Sequence, residues 1–493
     1  MAARWWGAGV STSILLPATT ISSVVETVSR PPERTSFRRY RLPPWPRGPK
    51  PRRRTELGLL VFSAVITVAL YVIAEVGAKN RIPPHLGPIL AVILGVSLAG
   101  HLANRWLAPN ANAIVLPLAT LLNGIGYVVI VRWTPPAAKA QATWSVLGMA
   151  LYVITLLLVR HSRDLDRYRY LLLFGAGFLL VSPLIPGIGV PSGQTLGGRL
   201  FVHFGPVQFQ PVEIAKVILC VFFASYFAEK KELLSIPTAR IGDRLVIDPR
   251  PLIPILVAWG FAMLVIGVEN DIGFAMLIFT MFIVLLWVTT GRWRYLLFGI
   301  ALFCVGAFVA AHLFPQVHER VSIWLDPWAT SKTGFQLIQG FIAMAHGGIG
   351  GAGLGLDNPA AAIPFLTSDM IFSVIADEMG FIGAAAVVIA FLLLVGAGLR
   401  IAQTARSDFS KLVATGLTVI IGFQAFFIMA GVLRILPFTG ITLPFVAYGG
   451  SSLVANYILI ALLMRISEEG ASTAAEEASG VHQPGESRFV VAS

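Results

Sequence analysis

The sequence predicts an all-α integral membrane protein, a polytopic bundle of about 12 transmembrane helices with one large extracytoplasmic loop. Its composition lies outside the range of soluble domains, because 56% of its 493 residues are hydrophobic, 13% are charged and the mean hydropathy is +0.77. Apolar runs of membrane-spanning length recur along the chain, and basic residues mark every second loop between them. Together these three observations exclude a soluble protein.

The helices are predicted at the apolar runs. A spanning helix needs roughly 20 mainly apolar residues, because the hydrocarbon core is about 30 Å thick and offers backbone groups no water. We expect each run to form one crossing. The runs lie near residues 57–77, 87–105, 111–131, 143–159, 169–188, 211–227, 251–268, 272–290, 295–314, 381–401, 411–433 and 452–466.

The distribution of Lys and Arg predicts the orientation of these helices. Short basic loops tend to stay in the cytoplasm. Here basic residues precede the first run and follow the second, fourth, sixth, eighth and tenth runs. We therefore expect a multi-pass protein of the cell (plasma) membrane with both termini in the cytoplasm.

The formal net charge of +12 does not indicate a nucleic-acid partner, because most of it belongs to one tail. Residues 1–54 carry eleven Lys or Arg against Glu26 and Glu33 and are rich in proline. This segment is predicted to be a basic cytoplasmic tail that either lies on anionic lipid or acts only as a topology signal. Residues 468–493 are predicted to be a disordered cytoplasmic tail. Both cysteines fall in predicted spans, so we expect no disulfide.

The largest extracytoplasmic loop is predicted at residues 315–380. Connections of this length are usually functional or disordered, and this one has aromatic and aliphatic residues throughout, unlike a disordered chain. Glycines cluster at 347–355. We expect amphipathic helices at the membrane surface, joined by a glycine turn.

Three acidic residues lie near the C-terminal end of this loop. Asp369 follows Ser368 at a predicted helix start, where an acid can cap free backbone N–H groups. Asp377 and Glu378 come eight and nine residues later. Acids near membrane depth are costly and usually line a hydrated cavity, where burial raises the carboxyl pKa towards a value useful for proton transfer. The residues thus leave two interpretations of Asp369, a helix cap or a general base.

Two further acidic motifs interrupt apolar runs. In "QFQPVEIAKV" (208–217), Glu213 and Lys216 share one helix face, as a surface ion pair or as cavity residues. In "VIGVENDIGFAM" (265–276), Glu269 and Asp271 stand either in an ordinary turn or in a functional site.

The stretch at 436–457 is predicted to be a broken or re-entrant element, because its prolines and glycines forbid a continuous helix. The histidines show no metal-ligand spacing, and the sequence has no nucleophile elbow, P-loop or dinucleotide fingerprint.

Several motifs together resemble the shape, elongation, division and sporulation (SEDS) family, which includes the RodA and FtsW proteins. The similarity covers roughly residues 111–467, so that the two helices within 55–110 form an extension to a ten-helix core, a pattern closer to RodA. The matching stretches are "FQPVEIAK" (209–216), "ENDIG" (269–273), "RVSIWLDP" (320–327), "GGIGGAGLG" (347–355), "SDMIFSVIADEMGFIG" (368–383) and "PFTGITLPFVAYGGSS" (437–452).

The resemblance implies particular roles for the matched charged residues. Asp369 corresponds to the family's essential loop aspartate and is the expected catalytic base. Leu200 and Phe201 replace the family's "RW" pair, so that its positive charge is expected from the preceding arginine. The residues implied to form the substrate and pyrophosphate cavity are Glu213, Lys216, Arg199, Asp271 and Glu378.

The implied function is that of a peptidoglycan glycosyltransferase in cell elongation or division, which polymerises glycan strands from lipid II with inversion at the donor's anomeric carbon. Lys216 and Arg199, or a divalent cation (Mg²⁺ or Mn²⁺) held by Glu213 or Asp271, would stabilise the pyrophosphate; no cofactor is certain and the metal site is unknown. The resemblance also implies a class B penicillin-binding protein as partner. The alternatives are a lipid II flippase and a scaffold of the elongation or division complex.

Overall fold

The computed structural model describes residues 53–79, 86–191, 199–204, 207–235, 239–241, 244–246, 250–329, 334–356 and 362–479. The basic tail predicted at 1–54 lies outside these residues apart from its last two. The described helices are α1 (Arg53–Lys79), α2 (Leu86–Leu107), α3 (Val115–Trp133), α4 (Pro135–Leu158), α5 (Ser162–Arg167), α6 (Arg169–Val181), α7 (Pro211–Ser235), α8 (Ile253–Val268), α9 (Ile272–Thr290), α10 (Trp293–Leu313), α11 (Pro315–Leu325), α12 (Phe335–Gly347), α13 (Ile371–Thr404), α14 (Asp408–Val432) and α15 (Gly450–Ser479).

An α-helix occupies most of each of the twelve predicted runs, although α6 ends at Val181 inside the run 169–188, and the all-α membrane class is confirmed. Within the described part of the chain, nine helices are long and apolar enough to cross a bilayer, while Arg169–Leu184 and Ile253–Val268 are shorter apolar helices. The number of twelve crossings stays a prediction.

Two small antiparallel sheets were not predicted. The first has the order β1 (Gly189–Pro191), β2 (Arg199–Phe204) and β3 (Val207–Phe209), with Val202 opposite both Gly189 and Phe209. The second is a hairpin of β4 (Ala239–Ile241) and β5 (Arg244–Val246).

The core of the bundle lies between α7, α14 and α15. The apolar windows of α7 and α15 are each 83% buried and that of α14 is 78% buried, whereas only 6% of the α10 window is buried. An apolar helix so exposed suits contact with lipid tails, because transmembrane helices need no polar outer face. The bundle therefore places α10 at its rim and the polar starts of α7 and α15 at its centre.

Local chemistry explains where the helices near the site begin. Pro211 opens α7 at a position whose N–H would lack a helical partner in any case. Asp271 caps α9 by accepting a hydrogen bond from the Phe274 backbone N–H at 3.2 Å. The described segment between Val432 and Gly450 forms turns rather than a helix, as its prolines and glycines predict.

The large loop differs in detail from the prediction. It holds two helices, α11 and α12, but the glycine cluster follows α12 instead of joining the two. The helix that ends this loop, α13, begins ten residues before the predicted span, and it is interrupted at Gly380 (φ 66°, ψ −168°). Residues 371–379 therefore form a separate buried half-helix ahead of the membrane span.

The C-terminal helix is longer than predicted. The last run was expected to end at 466 and to be followed by a disordered tail, but α15 continues to Ser479. Glu468 accepts a hydrogen bond from the Asn110 side chain at 3.0 Å, and Glu469 accepts one from the Ser162 backbone N–H at 2.6 Å. These contacts hold the first of the extra turns against the bundle. The structure thus has helix at 468–479, where a disordered tail was predicted.

Candidate active site

A cavity of about 1230 Å³ lies where the large loop meets the starts of α4, α7 and α9. The turn segment between α14 and α15 closes another wall. Four carboxylates line it: Glu319 and the three predicted acids Glu213, Asp271 and Asp369, which are more than 50 residues apart from one another in sequence. Apolar and aromatic side chains such as Trp144, Phe274 and Phe438 supply most of the remaining walls. The fold thus gathers three of the predicted site residues around one large pocket.

Asp369 is a buried cavity residue and not a helix cap. Helix α13 begins at Ile371, and Met370 occupies the N-cap position without a side-chain hydrogen bond. Asp369 is 7% exposed. Its pKa is raised to about 7, mainly by burial, while the neighbouring Ser368 hydroxyl and the charge of Arg320 act in the opposite direction. The capping interpretation is therefore wrong, and the carboxyl is left free to exchange a proton with a ligand near neutral pH.

Asp271 caps a helix and also contributes an acidic group to the cavity. One carboxylate oxygen caps α9, and the other accepts a hydrogen bond from Gln210 Nε2 at 3.2 Å. Burial raises its pKa to about 6, and the nearby Glu213 acts in the same direction. The preceding acid, Glu269, is buried beside the cavity, and its pKa is raised to about 9 by burial and by the charge of Asp271. Both acids of this turn therefore have raised pKa values.

Glu213 and Lys216 form a buried ion pair on α7, with relative exposures of 1% and 0%. The Lys216 ammonium also donates to Gln424 Oε1 at 2.7 Å and lies 5.5 Å from the centre of the Phe274 ring. Glu213 faces the cavity, where Thr442 Oγ1 donates to it at 3.4 Å. The interpretation as a surface ion pair is wrong. Lys216 stands behind Glu213 and fixes its orientation.

Arg320 brings positive charge to this cavity. It lies on α11 and donates to the backbone carbonyl oxygens of Thr439 and Phe438, at 2.6 and 3.4 Å. Burial lowers the pKa of its guanidinium, while the charges of Asp271 and Asp369 act in the opposite direction. A guanidinium remains ionised under such conditions, so Arg320 can bind an anionic ligand opposite the two acids.

The other two predicted cavity residues lie elsewhere. Arg199 stands at the start of β2, where it is paired with Pro191, and Glu378 lies near the break in α13, where its Oε1 accepts a hydrogen bond from Trp133 Nε1 at 3.0 Å. Like Lys216, which was also predicted as a cavity residue, neither is among the described residues that line the cavity.

The predicted divalent cation does not fit the ligands present. Among the described residues, no group of three or more His, Cys, Asp or Glu could hold a metal ion. Glu213 already pairs with Lys216, and one oxygen of Asp271 caps α9. We therefore assign no step to a metal.

Comparison with known proteins identifies the family. A family model described as "Cell cycle protein", named for FtsW, RodA and SpoVE, matches residues 130–472. The chain belongs to this family. Helices α1 and α2 and most of α3 precede the region matched by the FtsW/RodA/SpoVE model.

Curated members of the FtsW/RodA/SpoVE family are similar over most of their length. "Peptidoglycan glycosyltransferase RodA" of Mycobacterium tuberculosis is 35% identical over 428 residues, which cover 84% of this chain and 90% of that protein. The protein of the same name from Mycobacterium leprae is 34% identical over 428 residues, with the same two coverages. "Probable peptidoglycan glycosyltransferase FtsW" of Geobacter sulfurreducens is 30% identical over 332 residues, 67% of this chain and 84% of that protein.

Solved structures share the family fold. A chain from a study entitled "Structural coordination of polymerization and crosslinking by a peptidoglycan synthase complex" has a TM-score of 0.59 and 26% identity, covering 73% of this chain and 98% of that one. Thermus thermophilus rod shape determining protein RodA has a TM-score of 0.53 at 24% identity, covering 74% of this chain and 98% of that one. The second likeness concerns the fold alone.

Sequence reasoning about this FtsW/RodA/SpoVE protein assigned no role to Arg320. The signal was present, because Arg320 opens the matched stretch "RVSIWLDP". What could not be read from the sequence is that α11 turns this side chain towards the turn at 438–439 and into the cavity.

Proposed function

We propose that the protein is a peptidoglycan glycosyltransferase that polymerises glycan strands from lipid II in the cavity around Asp369. Its relatives of both RodA and FtsW type carry that enzyme name. The observation that supports the site is a buried carboxyl with its pKa raised to about 7, in a large cavity that also receives the Arg320 guanidinium. Glycosyl transfer from a lipid pyrophosphate needs both a base and a positive charge.

In the proposed reaction, the Asp369 carboxylate takes the proton of the 4-hydroxyl of the acceptor N-acetylglucosamine. The hydroxyl oxygen then attacks the anomeric carbon of the donor chain from the face opposite the pyrophosphate. The new glycosidic bond forms as the carbon–oxygen bond to the undecaprenyl pyrophosphate breaks, so the configuration inverts. Arg320 stabilises the charge on the departing pyrophosphate. Glu213 and Asp271 make the adjoining part of the cavity wall polar.

The proposed setting is the outer side of the plasma membrane, with both termini in the cytoplasm. The supporting feature is the alternation of basic loops, which favours an orientation with the large loop and the cavity on the side away from the cytoplasm. A class B penicillin-binding protein, which crosslinks new strands, is the proposed partner. One structural neighbour comes from a complex whose title couples polymerization with crosslinking.

Purified protein in liposomes, supplied with labelled lipid II, tests this function. We expect glycan polymer in the presence of a candidate partner transpeptidase, detected as a ladder on a denaturing gel. The transpeptidase alone is the control for background synthesis. Translocation of lipid II across the liposome membrane without any polymer, with and without the partner, would overturn the proposal in favour of a flippase.

The pH dependence of polymerisation follows from the raised pKa of Asp369. The base must be ionised to accept a proton, so kcat/KM is expected to rise with pH through about 7 and to level off above it. Because the neighbouring Ser368 hydroxyl lowers the pKa of Asp369, Ser368→Ala should move this rise to higher pH. Initial rates at saturating and limiting lipid II give the profile. A flat profile from about pH 5 to 8 would contradict the role of Asp369.

A further inference from the structure

The half-helix 371–379 is clasped by the segment at 348–356, here called the glycine loop. Backbone N–H groups of Ala352 and Gly353 donate to the carbonyl oxygens of Asp377 and Glu378, at 2.9 and 3.2 Å. On the other side of the break in α13, the N–H of Phe381 donates back to the loop, to the carbonyl of residue 348, at 2.9 Å. The loop thus replaces the helical hydrogen bonds that the break at Gly380 removes.

Glu378 ties this clasp to α3. This residue is 3% exposed, and its carboxylate accepts the Trp133 hydrogen bond at 3.0 Å, while Arg132 Nε lies 3.8 Å away. A terminal nitrogen of Arg132 donates to the backbone carbonyl of Gly355 at 3.2 Å. One pair of neighbouring residues on α3 therefore contacts both the half-helix and the glycine loop.

The far side of the glycine loop rests on α1. A Cβ atom at Gly77 of α1 would touch the backbone oxygen of Leu354, and one at Gly355 would touch the backbone oxygen of Ala74. The Leu354 side chain packs against the buried Tyr71 and Ala74. Since α1 and the loop meet backbone to backbone, a change of α1 at this point must move the loop.

Asp369 stands at the other end of the same rigid element. It precedes the half-helix by two residues, and residues 371–377 are all buried. Helix α12 packs closely against this half-helix, because a Cβ atom at Gly340 or Gly347 would meet Met370 or the Ala376 carbonyl. A shift of the loop end of the half-helix is therefore passed to Asp369 and not absorbed by loose packing.

We propose that Glu378 is a positioning residue and that α1, which lies outside the matched family region, supports the glycine loop. Together, Glu378 and α1 set the position of Asp369 in the cavity. This rests on the proposed function, because the position is read out as catalytic rate. A base misplaced by about 1 Å can cost on the order of 10²-fold in rate. The extension thus acts on the reaction from outside the cavity.

Gly77→Ala tests the support, and Gly58→Ala is its matched control. Gly58 lies on the same helix, but a Cβ atom there meets nothing within 4 Å. We expect Gly77→Ala to lower kcat roughly 10-fold without changing KM for lipid II, since the cavity wall is untouched. Gly58→Ala should match the wild type. Equal kcat for the two variants, with an active wild type, would overturn this proposal, whereas an inactive wild type would overturn the proposed function instead.

Glu378 is tested by two substitutions. Glu378→Gln keeps an acceptor for Trp133 and should retain most of the activity, while Glu378→Ala loses it and should lower kcat roughly 10-fold at unchanged KM. If Glu378 bound the substrate directly, Glu378→Ala would raise KM, and if its charge were essential, Glu378→Gln would lose as much rate as Glu378→Ala. Either result would contradict the positioning role.

Discussion

Asp369→Asn is expected to abolish measurable polymerisation while the protein stays inserted and folded. Removing a general base costs about 10²–10⁴-fold in rate. The amide is nearly the same size as the carboxyl, so the cavity keeps its shape. The measurement is the initial rate of glycan synthesis by purified protein, together with its thermal unfolding in detergent.

The thermal stability of the Asp369→Asn variant is a second, independent test of the buried carboxyl. Burial raises the pKa of Asp369, so the folded state favours the protonated carboxyl and loses stability as pH rises through about 7. A neutral amide avoids this loss. We therefore expect Asp369→Asn to unfold at the same temperature as the wild type or higher above pH 7, even though it is inactive.

Asp326→Asn is the matched control for this experiment. Asp326 is an exposed acid of the same loop that accepts hydrogen bonds from the backbone N–H groups of Trp328 and Ala329, outside the cavity. The amide oxygen can accept the same bonds, so activity should stay within about twofold of the wild type. Synthesis of normal chains by Asp369→Asn would remove Asp369 from the mechanism.

The helices could be predicted from the sequence because one local property, apolar length, determines them. Interruptions by proline and glycine likewise identified the broken segment before α15. The early start of α13 could not be found in this way. Residues 371–376 are mainly apolar, but Asp377 and Glu378 separate them from the predicted span. Only the glycine loop, packed from another part of the chain, shows that a separate half-helix forms there.

The acidic residues of the site could be predicted from the sequence, but its positive charge could not. Asp369, Glu213 and Asp271 stood out because carboxylates are costly in an apolar chain. Arg320 did not stand out, because the charge rule applies to short loops and gives a single arginine in a loop of this length no special meaning. Glu378 could be identified as a candidate from the sequence, but the direction of its side chain could not, since one step along a helix turns a side chain by about 100° onto another face. Such directions depend on tertiary packing.

Lys216→Met is expected to destabilise the fold strongly. The substitution removes the only charge that the structure shows in contact with the buried Glu213 carboxylate among the described residues, and it also removes the hydrogen bond to Gln424. Breaking a buried pair by deleting one partner costs about 3–5 kcal/mol, because an uncompensated charge is left in a medium of low dielectric constant. Thermal unfolding in detergent should therefore show a large fall in the midpoint.

The double variant Glu213→Gln/Lys216→Met separates a charge effect from a packing effect. With both charges gone, no isolated charge remains, and most of the lost stability should return. Lys411→Met, at an exposed lysine on the surface of α14, is the matched control and should change stability by less than about 0.5 kcal/mol. If the double variant were as unstable as Lys216→Met, the loss would come from packing around Phe274 instead of from the pair. The polymerisation activity of the double variant then tests the role of Glu213. A stable double variant that no longer polymerises lipid II would mean that the Glu213 carboxylate itself is needed in the cavity.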